Sequence, residues 1–136
     1  MRAPNGMESR ILIRDTSNTE IVDELRPQAS DIVLYKHRYS GFFETELDDR
    51  LKRLGTRSVI FTGCTTSVCL ESTLRDAMFR DYWPVLLADC SRERIGYNLP
   101  RSNHEAPILL IEDSFGSVST SEEFVKALQV TPKASA

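Results

Sequence analysis

Three cysteines, one lysine and a short aromatic cluster are the residues of this 136-residue chain with the most chemical potential. The segment Thr62-Gly63-Cys64-Thr65-Thr66-Ser67-Val68-Cys69 joins an apolar run to a helical pattern that begins at about Ser67. Thr66 or Ser67 suits the position before a helix, so Cys69 is expected in the first turn, where backbone N–H groups lack intrahelical acceptors. Those groups and the helix dipole would stabilise a thiolate and could receive the oxygen of a tetrahedral intermediate. A free cysteine at such a place is equally well explained as a small buried apolar residue. Lys36 ends another apolar run and could support a thiolate or an oxyanion, or simply be a solvated charge. Lys36-His37-Arg38-Tyr39 is a small basic cluster in a polar stretch. Nothing in the sequence orients His37 as a base for Cys69.

The elements that must hold these residues follow from patterning. Asp31–Lys36, Ser58–Thr62, Pro84–Asp89 and Ile108–Ile111 are short apolar runs, nearly continuous rather than alternating, which predicts parallel strands covered on both faces. Between them lie helical stripes. Leu47, Leu51 and Leu54 recur at helical spacing before Gly55, a C-terminal stop. Leu70, Thr73, Leu74, Ala77 and Met78 form a second stripe. Shorter helices are expected around Ile21–Leu25 and Phe124–Leu128. The alternation predicts an α/β sheet in one domain spanning residues 1–136, with ligands bound beyond the carboxyl ends of the strands. Lys36, Asp89 and Cys69 fall at that edge, whereas His104, just before the fourth run, falls at the opposite one.

Composition narrows the function. Lys+Arg 17 against Asp+Glu 20 gives a net charge of −3, which offers no nucleic-acid or anionic-membrane surface. The apolar runs are too short to span a bilayer, and no signal peptide is readable, so a cytoplasmic protein is expected. An odd number of cysteines without a Cys-x-x-Cys spacing suggests free thiols rather than a disulfide framework or a zinc ribbon. The six glycines form neither a dinucleotide fingerprint nor a phosphate loop, so no cofactor is expected.

The run Gly63-Cys64-Thr65-Thr66-Ser67-Val68-Cys69-Leu70-Glu71-Ser72-Thr73-Leu74-Arg75-Asp76-Ala77 resembles the nucleophile segment of the isochorismatase-like cysteine hydrolases. Ile21-Val22-Asp23-Glu24-Leu25 and Lys36-His37-Arg38-Tyr39-Ser40-Gly41-Phe42-Phe43 resemble the same superfamily, particularly its ureidoacrylate amidohydrolase branch, over about residues 19–128. The resemblance implies a three-layer α/β/α fold with a mainly parallel sheet that hydrolyses C–N bonds of small amides through an Asp–Lys–Cys triad. Cys69 matches the nucleophile and Lys36 the lysine. A cis peptide is implied just before Thr65, and the amides of Thr65 and Cys69 correspond to the oxyanion hole. Tyr39, Phe42 and Phe43 are candidate substrate contacts. Ser67 stands where asparagine is usual. No strand ending in an aspartate precedes Asp31, and Asp15 does not fit the pattern, so the chain reads as the carboxy-terminal two-thirds of the domain. Two expectations follow from that: self-association through an uncovered strand edge, and, as the rival to an enzyme, a catalytically silent interaction module. A redox pair of Cys64 and Cys69 is a third reading.

Overall fold

The computed structural model describes residues 12–13, 15–96, 98–100 and 102–130. The chain divides into two units, residues 1–33 and 34–136. In the first, the described residues form two single 3-10 turns, Ser17–Thr19 and Asp23–Leu25, with Ile21, Val22 and Leu25 exposed. The helix expected at 21–25 is therefore one turn. Three residues bury too little apolar surface to propagate a helix.

The second unit is built on a three-stranded parallel sheet in the order β1-β2-β3, with β1 Ser58–Cys64, β2 Trp83–Arg92 and β3 Ser117–Ser119. Helices flank it: α1 Leu47–Arg53, α2 Glu71–Met78, α3 Glu105–Ser114 and α4 Ser121–Val130. The α1 stop lies where glycine predicts it. Gly55 has φ +65°, and the N–H groups of Gly55 and Thr56 return to the carbonyls of Lys52 and Leu51, the pairing that closes a helix through a left-handed residue. The α2 stripe is likewise realised. Leu70, Leu74 and Ala77 are buried and pack with Phe42, Phe61, Tyr82, Leu86 and Ile111 in one core.

Two expected strands are corrected. Residues 31–36 form no strand, and Ile32, Val33 and Tyr35 are exposed. An apolar run becomes a strand only when a neighbour supplies its ladder, and none of the described strands pairs with this one. Ile108–Ile111 lies inside α3 rather than in a strand. There Pro107 and Ile111 turn inward one helical turn apart, while Leu109 and Leu110 remain exposed. The last strand is β3 instead. It sits so close to β2 that a Cβ on Gly116 would lie 2.4 Å from the Pro84 carbonyl oxygen, which explains a glycine at that point.

β2 outlasts its expected end at Asp89. It pairs Phe61 with Leu86, but Gly63 with Ser91 and Cys64 with Arg92, so β2 spends three more residues than β1 over that interval. The irregularity leaves the Asp89 carboxylate to receive the Ser121 backbone N–H at 2.8 Å and the Ser121 hydroxyl, closing the start of α4. It also carries the chain on to Glu93 and Arg94 beside the end of β1.

Candidate active site

β1 ends at Cys64, and the Cys64–Thr65 peptide is cis, as the resemblance implied. Thr65 then opens a wide helical turn, Thr66–Leu70, before α2. Its carbonyl accepts the N–H of Val68 (3.2 Å) and of Leu70 (3.3 Å), and the Thr66 carbonyl accepts from Glu71, five residues on. Such five-residue closure is rare in proteins and concentrates at functional sites. Cys69 lies within this turn and is half-buried, whereas Cys64 and Cys90 are exposed. Glu71 is answered by Arg75, whose Nε donates to it at 2.9 Å, so its charge is neutralised along α2 rather than directed at Cys69 alone.

The expected side-chain cap at Thr66 or Ser67 is replaced by a tertiary contact. Glu93 is 5% exposed, and its Oε2 receives both the Ser67 N–H (2.9 Å) and the Ser67 hydroxyl. Its Oε1 receives the N–H groups of Arg94 (2.8 Å) and Ile95 (2.9 Å). Burial works against the charged form of Glu93, but these hydrogen bonds outweigh it and hold the carboxyl below the ordinary glutamate range. The serine that stands in place of asparagine thus donates its hydroxyl to this carboxylate.

The Lys36 segment is tied to the same turn. The Gly41 N–H donates to Thr73 Oγ1 at 2.9 Å, and that hydroxyl donates to the Cys69 carbonyl at 2.6 Å. Ser40 bonds Asp76 on α2. A Cβ on Gly41 would press on Thr73 Cγ2 at 3.1 Å and Leu47 at 3.3 Å, so the loop approaches α2 closely. Lys36 itself is exposed, and its ammonium donates to the carbonyls of Arg38 (2.9 Å) and Tyr39 (3.0 Å). His37 pairs with Glu44 at 3.0 Å and meets Phe43 edge-on, so its ring is oriented by its own loop rather than toward Cys69.

Of the three aromatic candidates, Phe42 is corrected to a core residue. It is 5% exposed, stacks on Tyr82 at 6.0 Å and carries the Arg80 guanidinium over its face. Tyr39 and Phe43 are exposed. His104, expected at the far edge, instead meets the turn: its Nδ1 lies 2.9 Å from Thr66 Oγ1. With 108–111 in α3 rather than in a strand, His104 lies at the start of that helix. Glu93 and Arg94 carried no sequence signal of a site role, since they lie beyond the apolar run of β2.

A cleft of about 520 Å³ opens at this edge, lined by Cys64, Thr65, Arg92, Glu93 and Arg94. Cys69 is not among its lining residues; Thr65 connects it to the cleft. Among the described residues the side chains of Arg92 and Arg94 have no carboxylate partner, and no cluster of three or more His, Cys, Asp or Glu could hold a metal. No helix among them is long and apolar enough to cross a membrane.

Residues 3–123 match the isochorismatase domain. The chain belongs to the isochorismatase family. It is 42% identical over 128 residues to the ureidoacrylate amidohydrolase RutB of Serratia proteamaculans (strain 568), covering 94% of this chain and 50% of that protein. The chain thus spans about half the length of that relative. Isochorismatase-like folds also match in space. A cysteine hydrolase from Pseudomonas syringae pv. phaseolicola 1448A superposes with a TM-score of 0.81 at 29% identity, over 87% of this chain and 58% of that one. The N-carbamoylsarcosine amidase of Thermoplasma acidophilum gives 0.73 at 30% identity, over 83% and 61%. The parallel sheet with flanking helices is therefore the isochorismatase-like α/β architecture, and its relatives are hydrolases.

Proposed function

We propose that this isochorismatase-family chain is a cysteine hydrolase that cleaves a C–N bond in a small, anionic amide or ureido compound. The observation that carries the reading is Cys69 in a wide turn between β1 and α2, beside a cleft edged by two arginines without described carboxylate partners. The Cys69 thiolate attacks the substrate carbonyl, and the carbonyl π electrons move to oxygen. The amides of Thr65 and Cys69 receive that oxyanion, and Lys36 supports the negative charge. Collapse breaks the C–N bond, the nitrogen takes a proton from solvent water and leaves as ammonia or amine, and a thioester remains. Water then adds to the thioester and returns the acid and the thiol. Arg92 and Arg94 suit a carboxylate on the substrate, which the names of the ureidoacrylate and carbamoylsarcosine relatives both carry. Tyr39 and Phe43, exposed on the loop that follows Lys36, are the aromatic contacts put forward for the substrate. No residue of this chain is put forward for the aspartate of the triad.

A second reading, a catalytically silent family member that serves as an interaction module, is favoured by one observation. The Lys36 ammonium is spent on two carbonyls of its own loop.

Iodoacetamide separates the two. Reactivity that followed access alone would label exposed Cys64 and Cys90 before half-buried Cys69. An assembled site inverts that order. We expect Cys69 to be alkylated about tenfold faster than Cys90 at pH 7, located by mass spectrometry, with the advantage shrinking in Lys36→Ala. Labelling in order of exposure would favour the silent reading.

We also propose that copies of the chain associate through β1. Among the described strands it has a neighbour on one side only, and Ile60 is exposed. Light scattering should report a mass above 15.4 kDa at micromolar concentration; a monomer throughout would remove this proposal.

A further inference from the structure

The turn that carries Cys69 is gripped at consecutive residues from different elements. The Ser67 N–H and hydroxyl go to Glu93, just past the end of β2. Thr66 goes to His104, just before α3. Thr66 has no exposed surface at all, and its hydroxyl is paired with the His104 ring at 2.9 Å. His104 in turn is set by the start of α3: its own N–H reaches Ser102 Oγ at 3.4 Å, and Pro107 and Ile111 bury the helix against the core. A buried hydroxyl that loses its partner is costly, because no water replaces the bond.

We propose that His104 is a positioning residue for the Cys69 turn. Through Thr66 it fixes the start of the turn whose amides and thiol face the substrate. It does not touch the reacting atoms. The consequence for catalysis rests on Cys69 being the nucleophile; the consequence for the turn does not.

Amide hydrogen exchange resolved along the chain tests this directly. In His104→Ala, exchange across 66–70 should rise about tenfold while that of β2 stays unchanged, and Cys69 alkylation should slow. His104→Asn, whose side-chain amide nitrogen can occupy the place of Nδ1, should keep both near wild type. Thr66→Val removes the hydroxyl at constant volume and serves if His104→Ala does not fold; it should raise exchange in the same residues. Unchanged exchange in the turn, an equal rise throughout the sheet, or His104→Asn behaving as alanine would each overturn the proposal. Wild-type Cys69 reacting more slowly than Cys64 and Cys90 would instead sink the nucleophile reading, and the exchange data would still decide the role of His104.

Discussion

Cys69→Ser is expected to lower hydrolysis of small carbamoyl or ureido acids by at least ~10⁴-fold, because the hydroxyl lacks both the acidity and the intrinsic nucleophilicity of the thiol. The replacement differs by one atom, and Leu70 and Leu74, which seat the turn in the core, are untouched. Thermal unfolding should therefore stay within about 0.5 kcal/mol of wild type. Cys64→Ser and Cys90→Ser supply the contrast. Cys64 lines the cleft without lying in the turn, and Cys90 is exposed on β2; both variants should hold activity within a few-fold. Release of ammonia or amine measured on the three purified proteins decides the matter. A Cys69→Ser protein within tenfold of wild type would end the nucleophile assignment, and loss of activity in Cys64→Ser alone would move it.

Glu93→Ala should destabilise the chain by about 3 kcal/mol, through donors left without an acceptor in a buried place. Ser67, Arg94 and Ile95 all give backbone N–H groups to this carboxylate. Glu93→Gln offers one acceptor oxygen where there were two and sets an NH2 against N–H donors, so it should recover only part of the loss. Urea midpoints at pH 7 measure both. Acid provides a second reading. The folded carboxyl titrates below its unfolded counterpart. Its contribution is therefore complete above the unfolded value of about 4.3 and is lost as pH falls through the folded one. Wild type should lose stability between neutral pH and pH 3 more steeply than Glu93→Gln. Parallel curves, or a midpoint unchanged by alanine, would show that the carboxylate is not the tie between β2 and the turn.

Much of the frame was legible in the residues. Leu47 and Leu51, partly buried against the core, and the stripe from Leu70 to Met78 mark α1 and α2, because packing of one helix face leaves that period in the sequence. Leu54 stays exposed past the end of α1. β1 and the first half of β2 were visible as β-branched or apolar runs. Ile108–Ile111 was not, since four apolar residues fit a strand or a buried helix equally well. The available clue was Pro107, a residue favoured in a first helical turn. That one misreading also put His104 at the wrong edge. The proposed pairing of Lys36 with Cys69 rests on family resemblance rather than on spacing, and Glu93 came from neither. It reaches Ser67 only because β2 takes three extra residues and continues to Arg92, a register irregularity with no signature in a single sequence. Of the aromatic pair, Phe42 turned inward and Phe43 outward; alternation across a loop carries no period by which to choose.

The Thr73 hydroxyl, which accepts from Gly41 and donates to Cys69, divides labour within the loop that follows Lys36. Ser40, Gly41 and Phe42 face inward and anchor the loop to α2 and the core, while His37, Arg38, Tyr39 and Phe43 stand in solvent. The inward anchors lie between outward side chains on either side, so replacing the outward set leaves the contacts of Ser40, Gly41 and Phe42 with α2 and the core in place. Under the proposed function such a loop is evolvable: substrate preference would drift at the outward positions while the inward anchors are inherited unchanged. A laboratory library confined to those four positions would sample new specificities without repeatedly rediscovering the fold.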